Sequence, residues 1–313
     1  MKARALVQES GALIALVALC IVGAMRYYTF ATPENVLNLL RQNSMLGLVA
    51  LGMTFVILTG GIDLSVGALL AVAGVVAATL ASRGSALAIG GGVCAASLLG
   101  VTNGLLITKA RIPSFIVTLA MLIAARGAAL AVTGEQSIAI PHTAGGLIWL
   151  GRGEVGGLPA PIALLIVAYA TAWLVLRSTR FGRHVYATGD NEEAARLMGL
   201  RVDRVVIATY ALSGALAGLA GVVLAARLGA GQPVAGIGWE LDAIAAVVVG
   251  GTLLTGGQGG AGATLIGVLL LGVLFNLFNL DGGISPWWQW VMRGAFLLVV
   301  VAVQGRLQGR GDS

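Results

Sequence analysis

Charge is what this chain has least of. Asp, Glu, Lys and Arg make up 10% of its 313 residues, where a soluble globular domain carries about 25%. That deficit excludes an ordinary water-soluble globule. Lysine is nearly absent, with only Lys2 and Lys109. A P-loop needs a lysine behind its glycines to neutralise the phosphates, and neither lysine follows such a loop, so any ATP hydrolysis belongs to another chain. The two cysteines, Cys20 and Cys94, lie far apart inside apolar stretches, which argues against a disulfide framework or a thiolate metal site and suits small hydrophobes. No metal ligand set is visible, and His142 and His184 each stand without a nucleophile or an acid nearby. Glycine is plentiful at 47 residues, yet it has no triplet period and comes with only 7 prolines, so neither collagen nor a low-complexity chain fits.

What remains is apolar: 58% of the residues are hydrophobic and the mean hydropathy is +0.95. A helix across the hydrocarbon core needs about 20 predominantly apolar residues. Ten stretches meet or approach that length: about Gly11–Met25, Asn43–Thr59 with a polar lead-in from Pro33, Leu64–Ala81, Ser85–Thr108, Pro113–Val132, Pro161–Leu176, Val205–Ala226, Leu241–Leu254, Ala261–Leu280 and Pro286–Val303. The eighth has the shortest apolar core, because Gly250, Gly251, Gly256 and Gly257 crowd its end. The first reads as an uncleaved signal-anchor helix, since Glu9 interrupts its approach and Gly23-Ala24-Met25-Arg26 is a poor cleavage site. The expected fold is an all-α polytopic membrane protein forming one domain over residues 1–313.

Basic residues set the orientation. With ten spans and the N-terminus inside, the inner segments hold Lys2, Arg4, Lys109, Arg111, Arg177, Arg180, Arg183, Arg196, Arg201, Arg204, Arg306 and Arg310, and the outer loops hold Arg26, Arg41, Arg83, Arg152 and Arg227. Twelve against five predicts both termini inside. The placement of basic residues between apolar runs also argues against a nucleic-acid partner, which would need them on one solvated face.

The longest inner segment, 177–204, reads RSTRFGRHVYATGDNEEAARLMGLRVDR. Asp190 or Asn191 is a suitable N-cap, Glu192 and Glu193 fall in the first turn where negative charge suits the dipole, and Gly199 is a natural stop. The spacing predicts a two-turn helix displaying Ala194, Ala195, Leu197 and Met198 and flanked by arginines. It is either a solvated loop with one helical turn or an element built to dock into a groove on another protein.

Glu193-Ala194-Ala195, three residues, then Gly199 resembles the EAA-xxx-G pattern of the cytoplasmic loop in bacterial ABC importer permeases. Four further runs, GMTFVILTGGIDLSVGALLA from Gly52, YALSGALAGLAGVV from Tyr210, QPVAGIGWELDAIAAVVVGGTLLTGGQG from Gln232 and TLIGVLLLGVLFNLFNL from Thr264, are similar to the ribose, galactose, arabinose and xylose permease family. The ending WWQWVMRGAFLLVVVAVQ resembles its galactofuranose-type members. The resemblance implies an ABC importer permease fold in a bacterial inner membrane, carrying a monosaccharide. It implies three partners: a cytoplasmic ATPase subunit, which would bind ATP and Mg, a periplasmic sugar-binding protein, and a second permease copy or paralogue. It also makes Asp190, Glu192, Glu193, Ala194, Ala195, Arg196 and Gly199 the ATPase-coupling helix.

Polar residues within spans are costly in lipid and turn inward. A neutral polyol needs hydrogen-bond donors and acceptors of modest affinity along its path, so Asp63, Ser65, Asn103, Asn276, Asn279 and Gln289 are the pathway candidates. Thr59-Gly60-Gly61-Ile62-Asp63-Leu64-Ser65 is either a tight turn with Asp63 or Ser65 capping the third helix, or a break in a helix lining the pathway. Asn276 and Asn279 either line the path or tie helices together. Arg126 and Arg293 suit a structural ion pair or snorkelling, Glu240 and Asp242 either cap a helix or meet a docking protein, and Trp287, Trp288 and Trp290 suit an interfacial belt. The rival reading is an ion-gradient-driven secondary transporter with Asp63 or Glu240 as its proton-linked carboxylate.

Overall fold

The computed structural model describes residues 2–283 together with residues 285, 287, 288, 290–292, 294, 295 and 298. Helix α1 spans Lys2–Arg26, α2 Pro33–Leu58, α3 Val66–Leu80, α4 Ser85–Lys109 and α5 Ser114–Thr133. Strand β1 (Ile138–Ala139), helix α6 (Gly145–Arg152) and the pair β2 (Glu154–Val155) and β3 (Leu158–Pro159) form the longest connection. Then come α7 (Ala160–Ser178), α8 (Arg180–Asp190), α9 (Glu192–Leu197), α10 (Val202–Leu228), β4 (Ala230–Gly231), α11 (Trp239–Val249) and α12 (Ala261–Asp281). β1 pairs antiparallel with β4, and β2 with β3.

The ends of these helices follow local chemistry. Thr32 caps α2 ahead of Pro33 and Glu34, a favourable first turn. Helices α5, α10 and α12 stop on Gly134, Gly229 and Gly282, all left-handed, which glycine adopts without steric cost.

Among the described residues, seven helices are long and apolar enough to cross a membrane: α2, α3 with the turn that follows it, α4, α5, α7, α10 and α12. The apolar part of α1, Gly11–Arg26, is shorter, and more than half of the tenth predicted span lies outside the described residues. The eighth differs from expectation. Its helix, α11, has 11 residues, about 16 Å at the α-helical rise, roughly half of a hydrocarbon core. The chain ahead of it packs on α3: Gly231 lies against Gly74 and Gly236 against Gly67, so residues 231–236 run antiparallel along that helix. The glycines at 250 and 251 then end α11 in turns.

Helix α2 is buried on every side from Ser44 to Leu58, the mark of a central helix. The outward faces of α4, α5 and α7 expose Leu98, Ile123 and Val167 at 59%, 65% and 62%, apolar surface that suits lipid. Helix α10 packs on α2, α3 and α4 through small residues. A Cβ on Gly214 would strike Ala96 of α4, one on Gly100 the Tyr210 backbone, and one on Gly221 the Leu70 backbone of α3. Backbones this close are the usual packing of membrane helices.

The connections sort into two ends. At one, Gly257 N–H donates to Leu58 C=O at 3.0 Å, and Gly189 of α8 closes on the same carbonyl. At the other, Ile140 N–H donates to Gly229 C=O at 2.9 Å and Arg152 Nε to Arg227 C=O at 2.8 Å.

Gly221→Leu should drive its side chain into the Leu70 backbone and cost at least the ~1–3 kcal/mol of an overpacked core. Gly90→Ala, where a Cβ meets nothing within 4 Å, should be neutral or slightly stabilising; unfolding temperatures of the two purified variants check this.

Candidate functional site

Between α2 and α3 the chain leaves helical geometry at Thr59 and resumes it at Val66. Gly60 turns with φ +79°, and Gly61 packs beside the Tyr210 hydroxyl. The segment then climbs along α10. Tyr210 Oη donates to Ile62 C=O at 3.1 Å, Thr118 Oγ1 donates to the same carbonyl at 3.3 Å, and Ile62 N–H donates to Ser114 Oγ at 3.4 Å. The freed backbone thus finds protein partners, as it must inside an apolar bundle.

Next along the segment, Asp63 is fully buried, with Ser65, Asn103 and Ser213 around it equally buried. One carboxylate oxygen accepts from Ser65 N–H at 3.0 Å and from Ser65 Oγ; the other accepts from Ser213 Oγ at 2.9 Å. Asn103 Nδ2 donates to Ser65 Oγ at 3.0 Å. Among the described residues no cation pairs with Asp63. Three donors from Ser65 and Ser213 and the nearby start of α3, whose dipole is positive, suit a carboxylate.

Three of the predicted pathway residues, Asp63, Ser65 and Asn103, therefore meet in one network. Ser213 of α10 completes it. Sequence reading missed Ser213, although a lone hydroxyl one turn from Tyr210 in an apolar helix was the available signal. The segment turns at Gly60, which is exposed, and then packs within the protein at Asp63 and Ser65. Asp63 accepts the Ser65 N–H, while the Ser65 side chain makes no cap bond to α3. Below the network a cavity of about 610 Å³, lined by Gly60, Gly61, Thr108, Arg111, Arg196 and Tyr210 among others, opens towards α9.

Asn276 lies elsewhere. It exchanges two amide hydrogen bonds with Asn35, at 3.1 and 3.0 Å, so it ties α12 to α2. Asn279 is exposed one turn further on. Gln289 and Arg293 lie outside the described residues. Arg126 donates through Nη1 to Pro233 C=O at 2.6 Å and Ala235 C=O at 2.7 Å, pinning the segment that runs along α3, and the Glu240 carboxylate is near enough to attract it. Glu240 and Asp242 occupy the first turn of α11, the favourable end for negative charge, and the Glu240 carboxylate lies against Gly67 in the first turn of α3. Trp287, Trp288 and Trp290 are exposed, as an interfacial belt requires.

The 177–204 segment holds two helices where sequence reading placed one. Thr179 caps α8, accepting from Gly182 N–H at 3.1 Å. Asp190 is the last residue of α8, and Asn191 caps α9, accepting from Ala194 N–H at 2.9 Å. Helix α9 has 6 residues, well short of the ~12–15 that a free helix needs, and closes as a Schellman motif: Leu200 N–H donates to Ala195 C=O, Gly199 N–H to Arg196 C=O, and Gly199 has φ +84°. The predicted display of alanines is corrected. Ala195 is fully buried and Ala194 half-buried, because that face packs inward; Leu197 and Met198 are the exposed apolar pair, at 84% and 70%. Glu192 and Glu193 face solvent.

A charge network holds α9 in place. Arg196 pairs with Glu192 at 2.8 Å and Asp203 at 2.7 Å, and Lys109 pairs with Asp203 at 2.9 Å. Asp203 opens α10 and Lys109 ends α4, so α9 is tied to the helix that carries Tyr210 and Ser213.

A family described as "Branched-chain amino acid transport system / permease component" matches residues 35–301. The ribose import permease protein RbsC of Bacillus subtilis (strain 168) is 45% identical over 94% of this chain and 92% of its own length. RbsC of Escherichia coli (strain K12) is 40% identical over 97% of this chain and 96% of its own. The L-arabinose ABC transporter permease protein AraH of Azospirillum brasilense is 38% identical over 95% and 87%. No solved structure gives a significant match.

Ser213→Ala removes one hydrogen bond to a buried carboxylate and should cost about 1.5–3 kcal/mol. Thr102→Ala, whose exposed hydroxyl bonds only its own helix at Leu98 C=O, should change little. Thermal unfolding of both in one detergent checks the difference.

Proposed function

The chain belongs to the branched-chain amino acid transport system / permease component family, and from that premise we propose that it is the membrane-spanning subunit of an ABC importer for a monosaccharide. The observation that carries the reading is the match to ribose and L-arabinose permeases over nearly the whole of both chains. The named relatives are permeases of ABC importers, which favours this reading over an ion-gradient transporter and over an enzyme. Both named cargoes are pentoses, so pentoses are the first substrates to try and hexoses the second.

In this reading the chain is a single permease domain crossing the inner membrane about ten times, with both termini inside. It binds no cofactor; ATP and Mg bind on a separate ATPase subunit. That subunit receives α9, with Leu197 and Met198 as the apolar contact and Glu193 beside them. A sugar-binding protein docks outside, and a second permease, identical or paralogous, completes the passage.

The geometry supports a route for the motion. A push on α9 reaches Asp203 through Arg196 and so moves α10. Ser213, about 15 Å further along that helix at 1.5 Å per residue, carries the displacement to Asp63 and the start of α3. Asp63, Ser65 and Asn103 then act as a latch between α3, α4 and α10, with Asn279 nearer the entrance. The permease makes and breaks no covalent bond.

The test is uptake of labelled ribose, arabinose and hexoses by proteoliposomes containing this chain, its ATPase and its binding protein. Uptake should require internal ATP and both partners; uptake by this chain alone under an ion gradient would overturn the reading. In the same assay Gly199→Val, which forces a branched residue into left-handed geometry, and Glu193→Lys should each lower uptake about tenfold, the scale of one lost coupling contact. Their amount in the membrane should be unchanged.

A further inference from the structure

One cavity remains outside this machinery. It has a volume of about 670 Å³ and lies where α7, α8 and the start of α12 meet, lined by Trp173, Leu176, Arg177, Arg183, Tyr186 and Ile266 among others. Its two charged lining residues are both arginines, and no carboxylate lines it among the described residues. The Arg177 guanidinium lies 5.0 Å from the centre of the Trp173 ring, a favourable cation–π stack. Neither Arg177 nor Arg183 has an acidic partner among the described residues, whereas Arg196 and Lys109 nearby are paired.

The wall of the cavity continues as an apolar strip. Ile166, Val167, Trp173 and Leu174 are between 50% and 62% exposed along the outward face of α7, and the strip ends on Arg177. Opposite it, Gly262 opens the floor, where a Cβ would meet nothing within 4 Å. A hydrocarbon-facing strip, an interfacial tryptophan and two uncompensated guanidiniums stand in the order in which a phospholipid presents its chain, its glycerol and its phosphate.

We propose that this cavity binds an anionic glycerophospholipid, with the phosphodiester between Arg177 and Arg183 and an acyl chain along Ile166, Val167 and Leu174. A guanidinium fork matches a phosphate in geometry as well as charge. A zwitterionic lipid brings its own cation into the cavity and offsets that attraction. A free phosphate fills the charged end alone and leaves the strip unused. The site is independent of the cargo.

The full-length protein, purified from vesicles containing equal phosphatidylglycerol and phosphatidylcholine, is analysed by native mass spectrometry for retained lipid. Phosphatidylglycerol should be retained in preference. Arg177→Gln and Arg183→Gln should each lower that retention about fivefold, the contribution of one arginine at a lipid headgroup. Gly262→Phe should lower it with both arginines intact, because the ring fills the cavity without touching the fold, and it decides the case if either arginine variant misfolds. Unchanged retention in the variants that fold overturns the proposal. Displacement of the lipid by millimolar inorganic phosphate overturns it too, by assigning the site to a free anion.

Discussion

A carboxylate buried in an apolar bundle is the constraint on which the centre of this structure depends. Asp63 has no cation beside it among the described residues, so its two oxygens rest on hydrogen bonds from Ser65 and Ser213. An isolated carboxylate in such surroundings would be prohibitively costly. The consequence is positional: the 59–65 segment, the first turn of α3 and the middle of α10 must keep one arrangement, or exchange it for another that satisfies the same oxygens. Hydroxyl donors suit an element that moves better than an ion pair does, because each bond is weaker and can be remade singly.

The glycine and alanine content serves the same end. Helix α10 lies close enough to α3 and α4 that Gly221, Gly214 and Gly100 admit no side chain. Close backbones bring Ser213 to Asp63 and Asn103 to Ser65; bulkier packing would separate the donors from the acceptors. The salt bridges around Asp203 are partly exposed and individually weak, but three groups from α4, α9 and α10 converge there, which fixes geometry more than it adds stability.

How much of this was legible in the sequence depended on whether the signal was local. Apolar runs located the long helices, since a span must be apolar along its whole length, and Asn191, the two glutamates and Gly199 marked α9 through capping rules that act within one turn. The buried face of α9 was not legible: Ala195 and Ala194 are adjacent and chemically identical, and only the packing on the rest of the protein separates them. The eighth span misled for the opposite reason. Its 11 helical residues are preceded by a run of turns that lies along α3, and Gly231 and Gly236 carry no periodic signal because their role is to lie against Gly74 and Gly67. Arg126 looked like a charge in need of a counter-charge, yet it spends its donors on two carbonyls that exist only because residues 233–235 are not helical.

That last contact shows how the two irregular segments support each other. Residues 59–65 end at the start of α3, residues 229–238 end at the start of α11, and the two helix starts meet where Glu240 lies on Gly67. Two helix N-termini brought together repel, each carrying about half a positive charge. Acidic residues offset this at both: Asp63 just ahead of α3, Glu240 and Asp242 in the first turn of α11. The irregular backbone is satisfied in the same places, by Tyr210, Ser114 and Thr118 on one segment and by Arg126 on the other. A bundle of unbroken helices would need none of these groups. Each acid, hydroxyl and arginine here thus answers a demand created by a break, and the breaks are where the helices of this protein have freedom to change their relation to one another.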